Sequence, residues 1–472
     1  MSGARGAPAT GRPGRREGGF GLARVGLVVL IAVGVGALFF WRCEGVEPTV
    51  DAPPVLALGR EATSVPVVVA DPGSGLRDVA VTIRQGEAEP AAVETRFFPG
   101  ELVRGGAQPR EPATLELVLD ARALGLREGE ALLTISVTDW SWRSLLSGNE
   151  ARVEIPVSVD LAPPRVLVET GLSYVSRGGA GAVVYSIDEG AVRDGVLVGE
   201  RFYPGHPFPA TALGAGGGER RGGRRFALYA IARDAGADVP VRVVAEDAAA
   251  NRTVATWPVH LRDRSFEEIT IPLSKSFLDG KVASLARELD VDGASLAAFR
   301  VINSDVRARN EARIREIVAG SGSERHWRGP FEQMENSAVT SRFAEHRTYT
   351  VDGEKVSEAI HYGYDLASTA GAPITASNAG RVLHAGPLGI YGGTVILDHG
   401  LGLTSLYAHL SQIAVEVGDP VEQRGVLGRS GATGLAGGDH LHFAILVDGT
   451  YVEPKEWWDP KWIREKVEGQ LE

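Results

Sequence analysis

Two histidines one residue apart, His440 and His442 in the run GDHLHF, form the pair in this chain best spaced for chemistry. The apolar, β-favouring residues that follow, Phe443-Ala444-Ile445-Leu446-Val447, predict a strand, and residues two apart in a strand project from one face. Both imidazoles then enter one space. A second pair, His361 and Asp365 in HYGYD, is spaced four apart, with Gly363 between them loosening the backbone. Two imidazoles and a carboxylate are the usual nitrogen and oxygen donors of a catalytic zinc site, which keeps a fourth position open for water. A further imidazole, His409 in LYAHL, rises from an otherwise apolar strand. Seven of the ten histidines lie between positions 346 and 442, and that density asks for a chemical reason.

Six blocks stand in order: HYGYD, YGGTVILDHG, SLYAHLS, VGDPV, LGRSGATG and GDHLHF. On these blocks the region 335–459, about a quarter of the chain, resembles the lysostaphin-type (LytM-like) zinc endopeptidases of the cell wall. The resemblance implies that His361, Asp365 and His442 hold a Zn2+ ion, and that His409 and His440 are active-site histidines that do not bind it. All five are present, whereas some relatives have lost ligands and serve as activators of other hydrolases. One departure is visible: the family often has an acidic residue after HLHF, and Ala444 stands there, which weakens support around the ligands rather than the ligand set. His399 in LDHG fits the pattern as a structural position, while His346 and His384 read as surface or hydrogen-bonded structural residues. The bland alternative for the five is a site that holds metal without turnover, or holds none.

No glutamate stands beside the ligands to act as general base. His409 or His440 must therefore accept a water's proton, steady the developing oxyanion or protonate the leaving amine, and spacing does not divide these tasks between them.

Short strands with glycine at most turns predict an antiparallel β domain over 335–472, which the resemblance sharpens to a folded sheet with zinc in a groove across one face. The tail 454–466, with Trp457, Trp458 and Trp462, reads as core cover rather than a sugar-stacking platform. Upstream, 263–334 reads as a short helical connector. Val282, Leu285, Ala286 and Leu289 share one helical face, Asp292-Gly293 breaks the run, and Leu296, Phe299, Arg300, Val306, Ile314 and Ile317 continue a less regular stripe to Gly320. A sharper reading is that this block packs beside the cleft and restrains it until an unknown protein regulator pulls it away.

Positions 48–262 read as two copies of one unit, bounded at 48–160 and 161–262. Pro53-Pro54 answers Pro163-Pro164, Arg96-Phe97-Phe98-Pro99-Gly100 answers Arg201-Phe202-Tyr203-Pro204-Gly205, and Thr138-Asp139 answers Glu246-Asp247. Such order and spacing mark an internal repeat. Alternating stretches such as 79–83, 153–159 and 241–244, punctuated by Gly, Pro, Asp and Asn, suggest immunoglobulin-like β-sandwiches without a Cys-Trp-Cys core. They serve either as wall- or partner-binding modules or as rigid spacers.

Positions 25–41 carry no charge, between Arg24 and Arg42, and read as a transmembrane anchor preceded by a disordered, arginine-rich cytoplasmic tail, 1–24. The arginines before it and Glu44, Glu47 and Asp51 after it place the bulk of a single-pass protein on the extracytoplasmic, periplasmic side of the cytoplasmic (inner) membrane. A cleaved signal peptide is the rival, opposed by the bulky Phe39, Phe40 and Trp41 where small residues would be needed. Cys43 is the only cysteine, so no internal disulfide forms. A net charge of -11 argues against nucleic acid as a partner. The whole reads as mainly β, with peptidoglycan stem peptides and the membrane as partners. Its leading function is a zinc metalloendopeptidase that cuts wall cross-links; the alternative is a non-hydrolytic scaffold, or an activator of another wall hydrolase.

Overall fold

The computed structural model describes residues 19–106, 112–188, 190–209 and 223–471, so the expected tail is described only from 19 onward and 1–18 lies outside. The architecture is mainly β, with an apolar N-terminal helix, Gly19–Arg42, of which Arg24–Arg42 is long and apolar enough to cross a membrane; a signal sequence passes the same test. The chain divides into two compact units, Met1–Ala162 with Ala249–Asn251, and Pro163–Ala248 with Arg252–Glu472.

In the first unit, period-two alternation builds the core. Val65, Val67, Val69, Leu115, Leu117 and Leu119 of one sheet are buried in a single cluster with Val79, Val81, Ile83, Leu133, Ile135 and Val137 of another. The sheets run, in strand order, Thr49–Asp51, Thr63–Ala70, Ala113–Leu119, and Leu56–Leu58, Glu150–Val159, Gly129–Asp139, Leu76–Arg84, Ala91–Phe97.

The second unit begins with two four-stranded sheets between Val166 and Ala255, and a parallel pair, Ser173–Ser176 with Val259–Arg262. The segment expected as a helical connector then opens with a strand, Glu268–Pro272. It pairs in parallel with Glu345–Val351, which pairs antiparallel with Glu354–His361. The helices therefore leave from the sheet whose last residue is His361, and the chain after them first joins the larger C-terminal sheet through Ala338–Ser341.

Those helices run Lys275–Phe277, Leu278–Val282 and Ala283–Glu288, then Ser295–Val301, Ile302–Val306 and Arg307–Val318, with the break at Gly293, whose φ is +114. Leu278–Val282 and Ile302–Val306 are π turns. Each widens the helix by one residue per turn and rotates the face that follows. Arg300, assigned above to the inward stripe, is exposed, while its neighbours Ala298 and Phe299, and then Ile302, Val306 and Ile314, are buried in the same core as the C-terminal sheet.

That sheet is antiparallel, in the order Ala338–Ser341, Tyr364–Ala367, Leu441–Val447, Leu403–Leu410, Gly393–Gly400, Gly380–Pro387, Pro420–Val421. Leu403–Leu410 and Leu441–Val447 are buried along their whole length, so both faces are covered there. Trp457, on the tail helix Pro454–Trp458, is fully buried against Trp327 and Phe331, the core-cover role expected of the tail.

Candidate functional site

Strand register brings the metal-type donors together. Asp365 of Tyr364–Ala367 lies directly opposite His442 of Leu441–Val447, and His442 lies opposite Ala408 on its other side. His361 ends its own strand four residues before Asp365. The result is a buried triangle: His361 Nε2 to Asp365 Oδ1 is 2.9 Å, His361 Nε2 to His442 Nδ1 is 2.9 Å, and His442 Nδ1 to Asp365 Oδ1 is 3.0 Å.

Proton accounting tests whether a cation belongs there. His361 Nδ1 is 2.9 Å from the carbonyl of Arg342, which only accepts, so in the neutral imidazole Nδ1 holds the proton and Nε2 presents a bare lone pair. An ionised Asp365 offers lone pairs alone. At least one edge of the triangle is then two lone pairs at 2.9 Å, which repel unless a positive ion sits among them. These three residues are the metal-type cluster of the described chain, and the donor set suits zinc.

Gly363 makes room for this geometry. A Cβ on it would lie 2.6 Å from His442 Cε1 and 2.6 Å from the carbonyl oxygen of Phe443. Its value is space for an imidazole, not the loosened backbone expected from its place between the ligands. The carboxylate of Asp365 is steered by Arg347, whose Nη2 donates to Oδ2 at 3.0 Å and to Glu345 Oε2 at 3.2 Å. Ala444 is fully buried in its strand, and Arg347 with Glu345 supplies the charged support near Asp365.

His409 and His440 stand beside the triangle, their ring centroids 4.8 Å apart. Each donates Nδ1–H to a backbone carbonyl, Thr433 at 2.9 Å and Gly438 at 2.8 Å, which leaves Nε2 of each ring turned to the site. Nε2 of His440 is 3.5 Å from Asp365 Oδ1. His409 has φ +65, in the left-handed region, at a register shift in its strand. A bulge of this kind re-aims a side chain, and a non-glycine residue held there stores strain that marks a functional position. Burial pushes the His409 imidazole well below its ordinary value and holds His442 down at about 4, so both are neutral near pH 7. For His440 burial also pulls downward, but the Asp365 carboxylate outweighs it and the net shift is upward.

The remaining histidines fall where structural roles put them. His399 is buried, bonded through Nδ1 to the carbonyl of Ala379 and through Nε2 to the Ser405 hydroxyl. His384 meets the carbonyl of Gly386, and His346 approaches Glu358 at 3.5 Å.

The five residues line one cavity of about 360 Å3. The helical segment expected beside the cleft does line it, through Phe277, Phe299 and Arg307, and Tyr391, which opens the block YGGTVILDHG, stands with its ring 5.6 Å from that of His442. Sequence reasoning did not single out these side chains or Arg347 as walls, because each reaches the cleft through pairing or packing that is remote in sequence.

Residues 359–454 match the family model described as Peptidase family M23. Peptidoglycan DD-endopeptidase ShyB of Vibrio cholerae is 33% identical over 109 residues, 23% of this chain and 25% of that protein. Stage II sporulation protein Q of Bacillus subtilis is 33% identical over 142 residues, 28% of this chain and 50% of that protein. The catalytic domain of lysostaphin from Staphylococcus simulans aligns structurally at 25% identity with a TM-score of 0.20, covering 30% of this chain and 96% of that one. The chain spans 22% to 50% of the length of the first curated relatives it matches.

Proposed function

The chain carries a Peptidase family M23 domain at residues 359–454, and from that premise we propose that it is a zinc metalloendopeptidase hydrolysing the peptide cross-links of peptidoglycan. The triangle of His361, Asp365 and His442, with its unbalanced lone pairs, is the observation that carries the metal. Bound zinc supplies Lewis-acid polarisation of a peptide carbonyl and an acidified water. This chain's residues do the rest. His361 and His442 enter neutral and Asp365 ionised, which leaves one positive charge at the centre. Arg347 fixes the Asp365 carboxylate. His409 and His440, each with Nδ1–H tied to a carbonyl, take up a proton at Nε2 and return it to the leaving amine.

The substrate class rests on family and on one relative whose name specifies peptidoglycan. The apolar helix anchors the protein in the cytoplasmic membrane with its bulk on the extracytoplasmic side, and the two repeated β segments act as immunoglobulin-like spacers. Digestion of purified peptidoglycan by the zinc-loaded full chain tests this reading: cross-linked muropeptide dimers should disappear and monomers accumulate.

A second reading, a non-hydrolytic scaffold that binds wall or activates another hydrolase, is favoured by the match to a protein named for a sporulation stage rather than for a peptidase. The complete set of five site residues weighs against it. Unchanged peptidoglycan after digestion by zinc-loaded protein would favour the scaffold.

A further inference from the structure

Besides its imidazoles and Asp365, the cavity wall carries two cationic side chains, Arg347 and Arg307. Arg347 is balanced by Asp365 and Glu345. Arg307 lines the same cavity from the helical segment, outside the stretch that matches the family, and no ion pair to it is found among the described residues. Its guanidinium meets Asn303 one helical turn earlier: Nη2 donates to Oδ1 at 2.8 Å and Nε to the carbonyl at 3.3 Å.

Asn303 is itself 2% exposed, and its Nδ2 donates to Ser357 Oγ at 2.8 Å and to the carbonyl of Glu358 at 3.1 Å. Both partners belong to the strand that ends at His361. The guanidinium is therefore held relative to the metal-type cluster through a buried amide, not left to swing on a surface helix. Asn303 lies within the π turn Ile302–Val306 and Arg307 follows that turn directly, and such single-turn bulges concentrate at functional sites.

With Arg347 paired to two carboxylates, Arg307 is the guanidinium on the wall that faces the cavity without a carboxylate partner among the described residues, and a bound dication would add to the same sign. Phe277 and Phe299 line the cavity as well and exclude water from part of it, which strengthens any charge pair formed there. A planar guanidinium with unused N–H groups matches a carboxylate in geometry as well as sign.

We propose that Arg307 determines specificity in this cleft: its guanidinium receives a free carboxylate of the peptide substrate and selects carboxylate-bearing stem peptides over their amidated counterparts. The inference rests on reading the cleft as one that takes peptides.

The test uses the zinc-loaded full chain and two probes, a cross-linked stem-peptide dimer with free carboxylates and the same dimer with those carboxylates amidated. Kd is measured by calorimetry and cleavage by chromatography of the products. A charge-assisted hydrogen bond predicts that the native chain favours the free acid by about 10- to 100-fold in Kd. Arg307→Met should bring that ratio close to one, and Arg307→Lys should keep part of it. If Arg307→Met fails to fold, Arg307→Gln and Arg307→Lys carry the test, since Lys must then retain more preference than Gln. Equal binding of the two probes by the native chain, no binding of either, or a preference that survives loss of the guanidinium overturns the proposal. Cleavage without preference sinks this inference alone, whereas preferential binding without cleavage sinks the catalytic reading and leaves the role of Arg307 standing.

Discussion

Asp365 Oδ1 and His442 Nδ1 face each other across two adjacent antiparallel strands, 3.0 Å apart, because register places the two residues directly opposite. The cross-strand pair fixes two donors rigidly, and His361 completes the set from the end of a neighbouring sheet. Gly363 is what lets His442 come so close. Gly363→Ala should push His442 out of the triangle and lower zinc affinity by at least about tenfold, as loss of ligand positioning does elsewhere. Competition with a chromophoric chelator measures it; unchanged affinity would show that the spacing is not limiting.

Arg347 should matter nearly as much as a ligand. Arg347→Met leaves the carboxylates of Glu345 and Asp365 without their shared cation, and zinc affinity is expected to fall about 10- to 100-fold. The same competition assay reads the effect, with circular dichroism verifying that the sheet persists.

His409 separates chemistry from backbone strain. His409→Ala and His409→Gly should both reduce hydrolysis about a hundred- to ten-thousand-fold while zinc stays bound. They should differ in stability: at φ +65 glycine is free of the steric penalty alanine suffers, so the Gly variant should be more stable by about 1 kcal/mol. Denaturant titration of the pair measures the difference, and equal stability would mean the left-handed backbone carries no strain.

Asp448 gives the fold a pH dependence away from the cleft. Burial pushes its carboxyl up to about 7 from an ordinary value of 3.8, against the opposing pull of Arg201, and Oδ2 has no hydrogen-bond partner among the described residues. The folded state therefore binds a proton that the unfolded state has released. Stability falls as pH rises from about 4 to about 7 and is flat above that, a penalty of at most about 4 kcal/mol. Asp448→Asn should remove the slope, raising Tm at pH 8 while changing it little at pH 4; thermal melts across that range would contradict the account if both proteins kept the same slope.

Two of the site's imidazoles were legible in sequence for a physical reason: His440-Leu441-His442 needs only the period of a strand to put both on one face, whereas the division into His361, Asp365 and His442 as donors and His440 as a bystander came from the resemblance. Arg347, Gly363 and Arg307 were not legible in their roles. Arg347 reaches Asp365 across sheets, and Gly363 matters through an imidazole 79 residues later, a separation no local pattern encodes. The strand Glu268–Pro272 was hidden inside a segment read as helical, since its partner, Glu345–Val351, lies beyond the helices themselves. The break at Gly293 was readable because glycine tolerates the positive φ found there.

The central claim is that the triangle holds a zinc ion on which peptide hydrolysis depends. The most direct measurement is zinc stoichiometry and muropeptide release on the same full-chain preparation, alongside Asp365→Ala. One zinc per chain, loss of cross-linked dimers, and the disappearance of both in Asp365→Ala are the results expected. Dimer cleavage that persists in zinc-free Asp365→Ala would contradict it.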